Sequence, residues 1–200
     1  LKAAGRRDAE LEANLRDEIN VALQRLYNWQ NPDGGWGWWS NQQSDDLVTA
    51  YVVLGLVEAD KAGYTVSADV IDRSITYLRD NLETLQGLDV DEKLNRQAFK
   101  LFVLARADQR WIVSRTVTLH EQHESLSLYA RALLAQTLHK INPEDPRIDT
   151  LISDLVNAAD MSATGVHWEE DWRDYWNWNT DIRTTAMVLG ALTEIDPENS

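Results

Sequence analysis

The stretch from residue 165 to residue 180 carries the side chains with the clearest potential for chemistry. Glu169, Glu170, Asp171 and Asp174 are interleaved there with tryptophans. Paired carboxylates act as acid and base in glycosidases when they lie roughly 5–9 Å apart, so this stretch is compatible with glycan hydrolysis. We favour the competing interpretation, a solvated acidic loop with structural aromatic residues. Its carboxylates would pair with nearby arginines at the surface, where each pair contributes little to stability.

Two histidines, His120 and His123, are the best candidates for metal ligands. A zincin helix places its two histidines four residues apart on one face, whereas these are three apart. A solvated segment that caps the following helix is the favoured interpretation, and adventitious zinc binding is the alternative. The sequence therefore predicts no resident metal and no cofactor.

The composition excludes several other kinds of site. None of the 200 residues is cysteine, which excludes disulfides, thiolate metal sites, a cysteine nucleophile and a thioester made from these residues. There is also no Gly-x-Ser-x-Gly elbow and no phosphate-binding glycine loop. The formal net charge is −14 and the acidic residues are spread along the chain, so no nucleic-acid-binding face is expected. No apolar run approaches the roughly 20 residues of a membrane span, so direct membrane insertion is not expected either.

Helices must position these side chains, because the apolar residues step by three and four and show no sustained alternation. The chain has only four prolines and nine glycines, and the fold is predicted to be all-α. A first helix carries an apolar stripe that includes Leu15, Ile19 and Leu23, and Pro32 and the glycines after it would end that helix. Further helices are predicted at residues 44–61, 67–85, 91–108, 122–141, 146–159 and 179–195.

The helices contain a repeat. Residues 49–56 recur as residues 185–192, and weaker copies surround Ala98 and Ala130. These copies are nearly apolar all round, which predicts an inner set of helices ringed by an outer set in an α/α toroid. The visible hairpins suggest an incomplete ring, whose first and last copies would expose apolar edges. The candidate edge residues are Val48, Val52, Val188 and Leu192. An irregular helical bundle is the alternative.

Tryptophan is the unusual feature of the composition, with nine residues in 200. Trp36, Trp38 and Trp39 precede one inner copy, and Trp168 and Trp172 belong to a second cluster that precedes another. Large aromatic side chains can lock helix ends by burying their area and bonding the indole N–H. Both clusters are therefore predicted to be buried and structural, with stacking on a sugar or a partner protein as the alternative.

The first cluster also carries a resemblance to a known family. The segment Leu26–Trp36, which reads Leu-Tyr-Asn-Trp-Gln-Asn-Pro-Asp-Gly-Gly-Trp, and the following Leu47–Val53 resemble the thioester-domain region of bacterial alpha-2-macroglobulins and complement components. Val166–Glu169 and Thr184–Leu189 follow in the family's order. The resemblance implies an α/α toroid within a large exported, protease-trapping protein. Because few hairpins are visible, residues 1–200 are expected to form a single domain or a fragment from the middle of the thioester domain.

The chain departs from the family at the thioester itself. The family's Cys-x-Glu-Gln segment is absent, and no histidine occurs between Leu1 and Leu119 that could tune such a bond. Thioester chemistry is therefore assigned to no residue. Squalene and hopene cyclases share the toroid and resemble the Gln30 to Trp36 stretch. Their protonating Asp-x-Asp-Asp motif fails here at Glu92, however, and prenyltransferases need a cysteine ligand for zinc.

These observations predict a non-catalytic scaffold segment of an alpha-2-macroglobulin-like protease inhibitor, and no enzyme. The expected partners are the other domains of the parent protein and, through the parent, target proteases. The expected location is outside the cytoplasm. A toroid glycosidase or other toroid enzyme and a generic helical interaction module remain the alternatives. The candidate structural or contact residues are Trp36, Trp38, Trp39, His167, Trp168, Glu169 and Trp172.

Overall fold

The computed structural model describes residues 9–85, 91–163 and 165–198, with side chains from Asn14 onward. Within those ranges the chain is helical apart from one short hairpin, so the predicted all-α class is confirmed. The toroid itself remains a prediction. The helices are α1 Ala9–Trp29, α2 Asp46–Lys61, α3 Ala68–Asp80, α4 Asp91–Arg106, α5 Val113–His120, α6 Leu128–Ile141, α7 Arg147–Asn157 and α8 Asp181–Ile195. None of the described helices is long and apolar enough to cross a membrane.

The chain divides into two compact units, Leu1–Asp80 and Asn81–Ser200. In the first unit, α2 begins where the Asp45 side chain accepts hydrogen bonds from the amides of Leu47 and Val48, both at 2.9 Å. This cap satisfies two amides that the first helical turn leaves unpaired. The apolar positions of α2 then step by three and four into the core. The buried residues of α2 are Leu47, Thr49, Ala50, Val53, Leu56 and Val57.

In the second unit, α6 is the central helix and packs against α4, α7 and α8. The sequence of α6 explains this, because nine of the ten residues from Tyr129 to Leu138 are buried and only Arg131 is not. Ala98 and Ala130, which mark the inner copies of the repeat, are both 0% exposed. The prediction that these two copies are buried on all sides is therefore confirmed. A helix of this kind has no polar face because every side meets another helix.

The last repeat copy, α8, buries a different face from the predicted one. Val188 is 0% exposed and Leu192 is 4% exposed, so the prediction that they form an open edge is wrong. The large apolar residues of α8 that are exposed are Ile182, at 84%, and Leu189, at 42%. The sequence of α8 is apolar on both sides, so it does not indicate which face of the helix packs against the core.

Two elements were not predicted from the sequence. The helix α5 lies between the predicted helices, and a two-stranded antiparallel hairpin pairs β1 Asp160–Ser162 with β2 Gly165–His167. In the hairpin, Asp160 lies opposite His167, Met161 opposite Val166 and Ser162 opposite Gly165. Short single-turn 3₁₀ helices cover His123–Ser125 and Tyr175–Asn177. The second unit is thus mostly helical, with its irregular backbone concentrated between residues 158 and 180.

Candidate functional site

One tryptophan of the first cluster is held by an arrangement of three hydrogen bonds, which we call the Trp–Thr clasp. The Trp36 amide donates to Thr49 Oγ1 at 2.9 Å, and Thr49 Oγ1 donates back to the Trp36 carbonyl at 3.3 Å. The Trp36 indole Nε1 donates to the Leu26 carbonyl near the end of α1 at 2.8 Å. Trp36 is only 3% exposed, so its ring joins the end of one helix to the start of the next.

The second cluster repeats the clasp atom for atom. The Trp168 amide donates to Thr185 Oγ1 at 3.0 Å, and Thr185 Oγ1 donates to the Trp168 carbonyl at 3.2 Å. The Trp168 indole Nε1 donates to the Leu155 carbonyl in α7 at 2.7 Å. Trp168 is likewise 3% exposed. Alignment of the two repeat copies places Thr49 opposite Thr185. The copies therefore share these hydrogen bonds as well as residue types.

The remaining tryptophans of the two clusters are exposed, so the prediction that both clusters are wholly buried is wrong. Trp38 is 56% exposed, Trp39 73% and Trp172 38%. Trp36 and Trp168 occupy the clasp positions, whereas these neighbours follow on loops outside the helical core. Burial of one tryptophan from each cluster therefore supports a structural role there, while the exposed ones are available for contacts.

The loop of the first clasp turns tightly against its neighbours. Gly34 has a φ of 91°, and a Cβ atom there would collide with the carbonyl oxygen of Arg73. The Asp33 carboxylate accepts hydrogen bonds from the Gly35 amide at 3.0 Å and from Ser44 Oγ at 2.7 Å. A glycine at position 34 is thus required by backbone geometry, since only glycine reaches this conformation without steric cost, and Asp33 fixes the turn through its side-chain hydrogen bonds.

The pKa of Tyr77, a tyrosine of α3, is raised by burial and by three acidic side chains of this unit. Burial, followed by the negative charges of Asp33, Asp46 and Asp45, raises the pKa of Tyr77 to about 12 from its ordinary value of 10.0. The folded chain therefore keeps the phenol proton over a pH range in which the unfolded chain loses it. This difference favours the unfolded state as the pH rises.

We expect the free energy of unfolding to fall as the pH rises from 10 towards 12, and Tyr77→Phe to make that fall shallower. Urea unfolding at a series of pH values measures both curves. Tyr175→Phe, at a side chain that is 70% exposed, is the matched control. An equally steep fall in Tyr77→Phe would contradict this assignment.

The acidic loop of the second unit is built around a buried carboxylate. Asp174 is 0% exposed. Its Oδ2 accepts hydrogen bonds from Asn95 Nδ2 at 2.9 Å, Tyr129 hydroxyl at 2.8 Å and Asn177 Nδ2 at 2.7 Å. Burial, and after it the charge of Asp174, raises the pKa of Tyr129, so this phenol stays a donor to the carboxylate. Arg183 lies 4.9 Å from the centre of the Tyr129 ring and supplies a nearby positive charge.

A second carboxylate of the loop caps the central helix. Glu170 Oε2 accepts from the Leu128 amide at 2.9 Å and Glu170 Oε1 accepts from the Tyr129 amide at 3.1 Å. Thr184 Oγ1 also donates to Glu170 Oε1, at 2.7 Å. The residue before α6, Ser127, makes no side-chain cap of its own. Glu170 therefore satisfies the first amides of α6 from a distant part of the chain and places negative charge at the positive end of the helix dipole.

These bonds change the interpretation of the acidic loop. The sequence predicts solvated carboxylates, but Asp174 is buried and Glu170 is half-buried, and each accepts hydrogen bonds from residues of the surrounding helices. Glu169 is different, because it is exposed and its Oε1 lies 3.2 Å from His167 Nε2. Glu169, Glu170 and Asp171 border a polar cleft of about 710 Å³, which Trp172 also lines. Carboxylates already occupied by structural donors are better suited to positioning the loop than to acid–base chemistry.

The histidine pair lies outside both loops. His120 ends α5 and His123 begins a 3₁₀ turn, with their rings stacked at 4.7 Å. His123 Nδ1 lies 2.8 Å from the His120 carbonyl, and His123 Nε2 lies 3.7 Å from Asp154 Oδ2. Burial is the main cause that lowers the pKa of His120. The predicted capping role is wrong, since α6 begins only at Leu128 and Glu170 bonds its first amides.

Known proteins share both sequence and fold with this chain. The family model described as A-macroglobulin TED domain matches residues 1–95. An alpha-2-macroglobulin of Thermotoga maritima is 48% identical over 204 residues, covering 92% of this chain and 12% of that protein. An alpha-2-macroglobulin homolog of Yersinia pestis is 33% identical over 99 residues, covering 48% of this chain and 5% of that protein. The chain thus spans a small part of the length of these relatives.

Solved structures share the fold at lower identity. Escherichia coli alpha-2-macroglobulin activated by porcine elastase superposes with a TM-score of 0.76 at 22% identity, over 100% of this chain and 18% of that one. Salmonella alpha-2-macroglobulin reacted with methylamine gives a TM-score of 0.74 at 20% identity, over 97% of this chain and 12% of that one. The family model and the sequence relatives show that the chain belongs to the alpha-2-macroglobulin family, in the region of its TED domain.

Proposed function

We propose that this chain is a non-catalytic scaffold segment, from the middle of the thioester-type domain, of an exported alpha-2-macroglobulin-like protease inhibitor. The observation that carries the proposal is the match to one stretch of the Thermotoga maritima protein, at 48% identity over 92% of this chain. The structure of Escherichia coli alpha-2-macroglobulin has been solved in a trypsin-activated form and in a form activated by porcine elastase. The parent protein of this chain is therefore proposed to meet proteases in the same way.

The use of the chemistry-bearing side chains supports a scaffold role. Asp174 and Glu170 hold the loop to the helices, and the two clasp tryptophans join helix ends. With no cysteine in its 200 residues, this segment cannot supply the thiol of a thioester. It would contribute to protease capture by keeping a fixed structure and by providing surfaces that contact other domains. The exposed Trp38, Trp39 and Trp172 are the proposed contact residues for other domains of the parent.

The test uses the full-length parent protein and trypsin. A trapping inhibitor should strongly reduce hydrolysis of a large protein substrate while leaving hydrolysis of a small peptide substrate almost unchanged. The 200-residue chain alone should reduce neither. Equal activity on both substrates with and without the parent would contradict the proposed inhibitory function.

A matched pair of variants in the parent then tests the scaffold role of this segment. Asp174→Ala removes the buried carboxylate and should reduce protection of the large substrate, whereas Asp171→Ala, at an exposed position of the same loop, should retain it. Full protection by the Asp174→Ala parent, with its segment shown to be unfolded by protease digestion, would contradict the scaffold role but leave the inhibitory function standing.

A further inference from the structure

The β1–β2 hairpin brings three metal-ligating side chains together. One ligand atom each from Asp160, His167 and Glu169 lies within 4.8 Å of the other two. His167 Nε2 and Glu169 Oε1 are already 3.2 Å apart. Adjacent ligand atoms of a tetrahedral zinc ion lie about 3.4 Å apart, given bond lengths of about 2.1 Å, so small side-chain rotations would complete such a geometry.

The backbone of the hairpin places these side chains on one face. Asp160 and His167 are directly opposed in the antiparallel register, and side chains of opposed residues lie on the same face of a hairpin. Glu169 lies two residues after His167, beyond the end of β2, and its Oε1 is 3.2 Å from His167 Nε2, so the two side chains share that face. The intervening Trp168 points the other way, into the core.

The Trp–Thr clasp fixes this arrangement. Trp168 is 3% exposed and is bonded through its amide to Thr185 and through its indole to Leu155. With Trp168 anchored on the inner side, His167 and Glu169 on either side of it must face outward together. A binding site needs ligands held by a rigid support, and the clasp is such a support.

Charge and solvent access also suit a cation. Two carboxylates and one imidazole would neutralise a doubly charged ion, and among the described residues no lysine or arginine forms an ion pair with any of the three. Asp160 and Glu169 border the polar cleft of about 710 Å³, from which water can reach the ion. Three protein ligands with a fourth position for water form a common zinc arrangement, and the imidazole favours zinc over calcium or magnesium.

We propose that Asp160, His167 and Glu169 form a binding site for one divalent transition-metal ion of the zinc class at the outer face of the β1–β2 hairpin. The site is separate from His120 and His123, and it is independent of the proposed inhibitory function.

The test is calorimetric titration of the chelator-treated 200-residue chain with zinc chloride at neutral pH. One ion per chain is expected to bind, and His167→Ala and Asp160→Asn should each weaken binding by at least about tenfold, as loss of even a supporting residue does in metal sites. In NMR spectra, zinc should shift the imidazole resonances of His167 more than those of the other histidines.

Two controls are matched to these variants. Met161→Ala changes the same hairpin at an exposed position on its opposite face, and His123→Ala removes a histidine elsewhere. Both should keep the affinity of the unchanged chain. Zinc binding that survives His167→Ala, or that disappears in His123→Ala, would overturn the proposal. Absence of zinc binding would also overturn it and would leave His167 and Glu169 as a surface ion pair only.

Discussion

Replacing Trp168 or Trp36 with alanine is expected to lower the free energy of unfolding by about 3–5 kcal/mol, the cost of deleting a large buried aromatic side chain. Each ring is 3% exposed. Each substitution also leaves a helix-end carbonyl, that of Leu155 or of Leu26, without its indole donor. Chemical denaturation followed by far-ultraviolet circular dichroism measures the loss.

Exposed tryptophans provide the matched controls for these substitutions. Trp176 is 70% exposed and Trp39 is 73% exposed. Trp176→Ala and Trp39→Ala should each change the free energy of unfolding by less than about 1 kcal/mol, as surface substitutions usually do. If Trp36→Ala and Trp168→Ala also cost less than that, the clasps do not stabilise the fold and the structural interpretation of these two residues fails.

Asp174→Ala is expected to destabilise the chain by at least about 3 kcal/mol, because it leaves three donors unpaired and each unpaired buried donor costs about 1–3 kcal/mol. Those donors are one N–H group of the Asn95 amide, the Tyr129 hydroxyl and one N–H group of the Asn177 amide. The two amide nitrogens keep their other hydrogen bonds, to Ser127 Oγ and to the Glu92 carbonyl. Asp174→Asn keeps the volume but turns an amide N–H group or a poorer acceptor towards the same donors, so it should also destabilise. Urea unfolding measures both variants.

The control for this prediction is Asp171→Ala, which removes an exposed carboxylate from the same loop. It should change the stability by no more than about 0.5 kcal/mol. Equal stability of Asp174→Ala and Asp171→Ala would show that the buried network is not needed to hold the loop, contrary to its hydrogen bonds.

Helical periodicity was enough to predict the helices whose apolar faces are long. Residues 91–108 were predicted and α4 covers Asp91–Arg106, and residues 179–195 were predicted and α8 covers Asp181–Ile195. The prediction of 122–141 began too early, because α6 starts at Leu128. The polar residues 122–127 continue the helical periodicity of the sequence but contain only the 3₁₀ turn His123–Ser125, and no proline or glycine there marks the break.

The candidate site was harder to predict, because its bonds join distant parts of the sequence. Asn95 and Asp174 are 79 positions apart, and Leu128 and Glu170 are 42 apart. Neither pair has a local pattern that distinguishes a buried, bonded carboxylate from a solvated one. The hairpin was missed because each strand has only three residues, all exposed, which is too short for an alternating pattern.

The internal repeat predicts one structural detail that the composition does not. Alignment of residues 49–56 with residues 185–192 places Thr49 opposite Thr185, and both hydroxyls make the same pair of bonds to a tryptophan backbone. No signal indicated which tryptophan of each cluster would be the partner. The partner is the tryptophan whose indole donates a hydrogen bond to a carbonyl of the preceding helix. Which tryptophan can do so depends on how the helices pack.

The two clasps enclose loops of different length, which has a consequence for protein engineering. Trp36 and Thr49 are 13 positions apart, whereas Trp168 and Thr185 are 17 apart, yet the same bonds form. The same clasp therefore forms around loops of two lengths, and lengthening a loop with fixed ends costs little additional closure entropy. A peptide epitope grafted between Trp39 and Ser44 would be displayed from a fixed base, so the first loop is a ready acceptor site for foreign sequence.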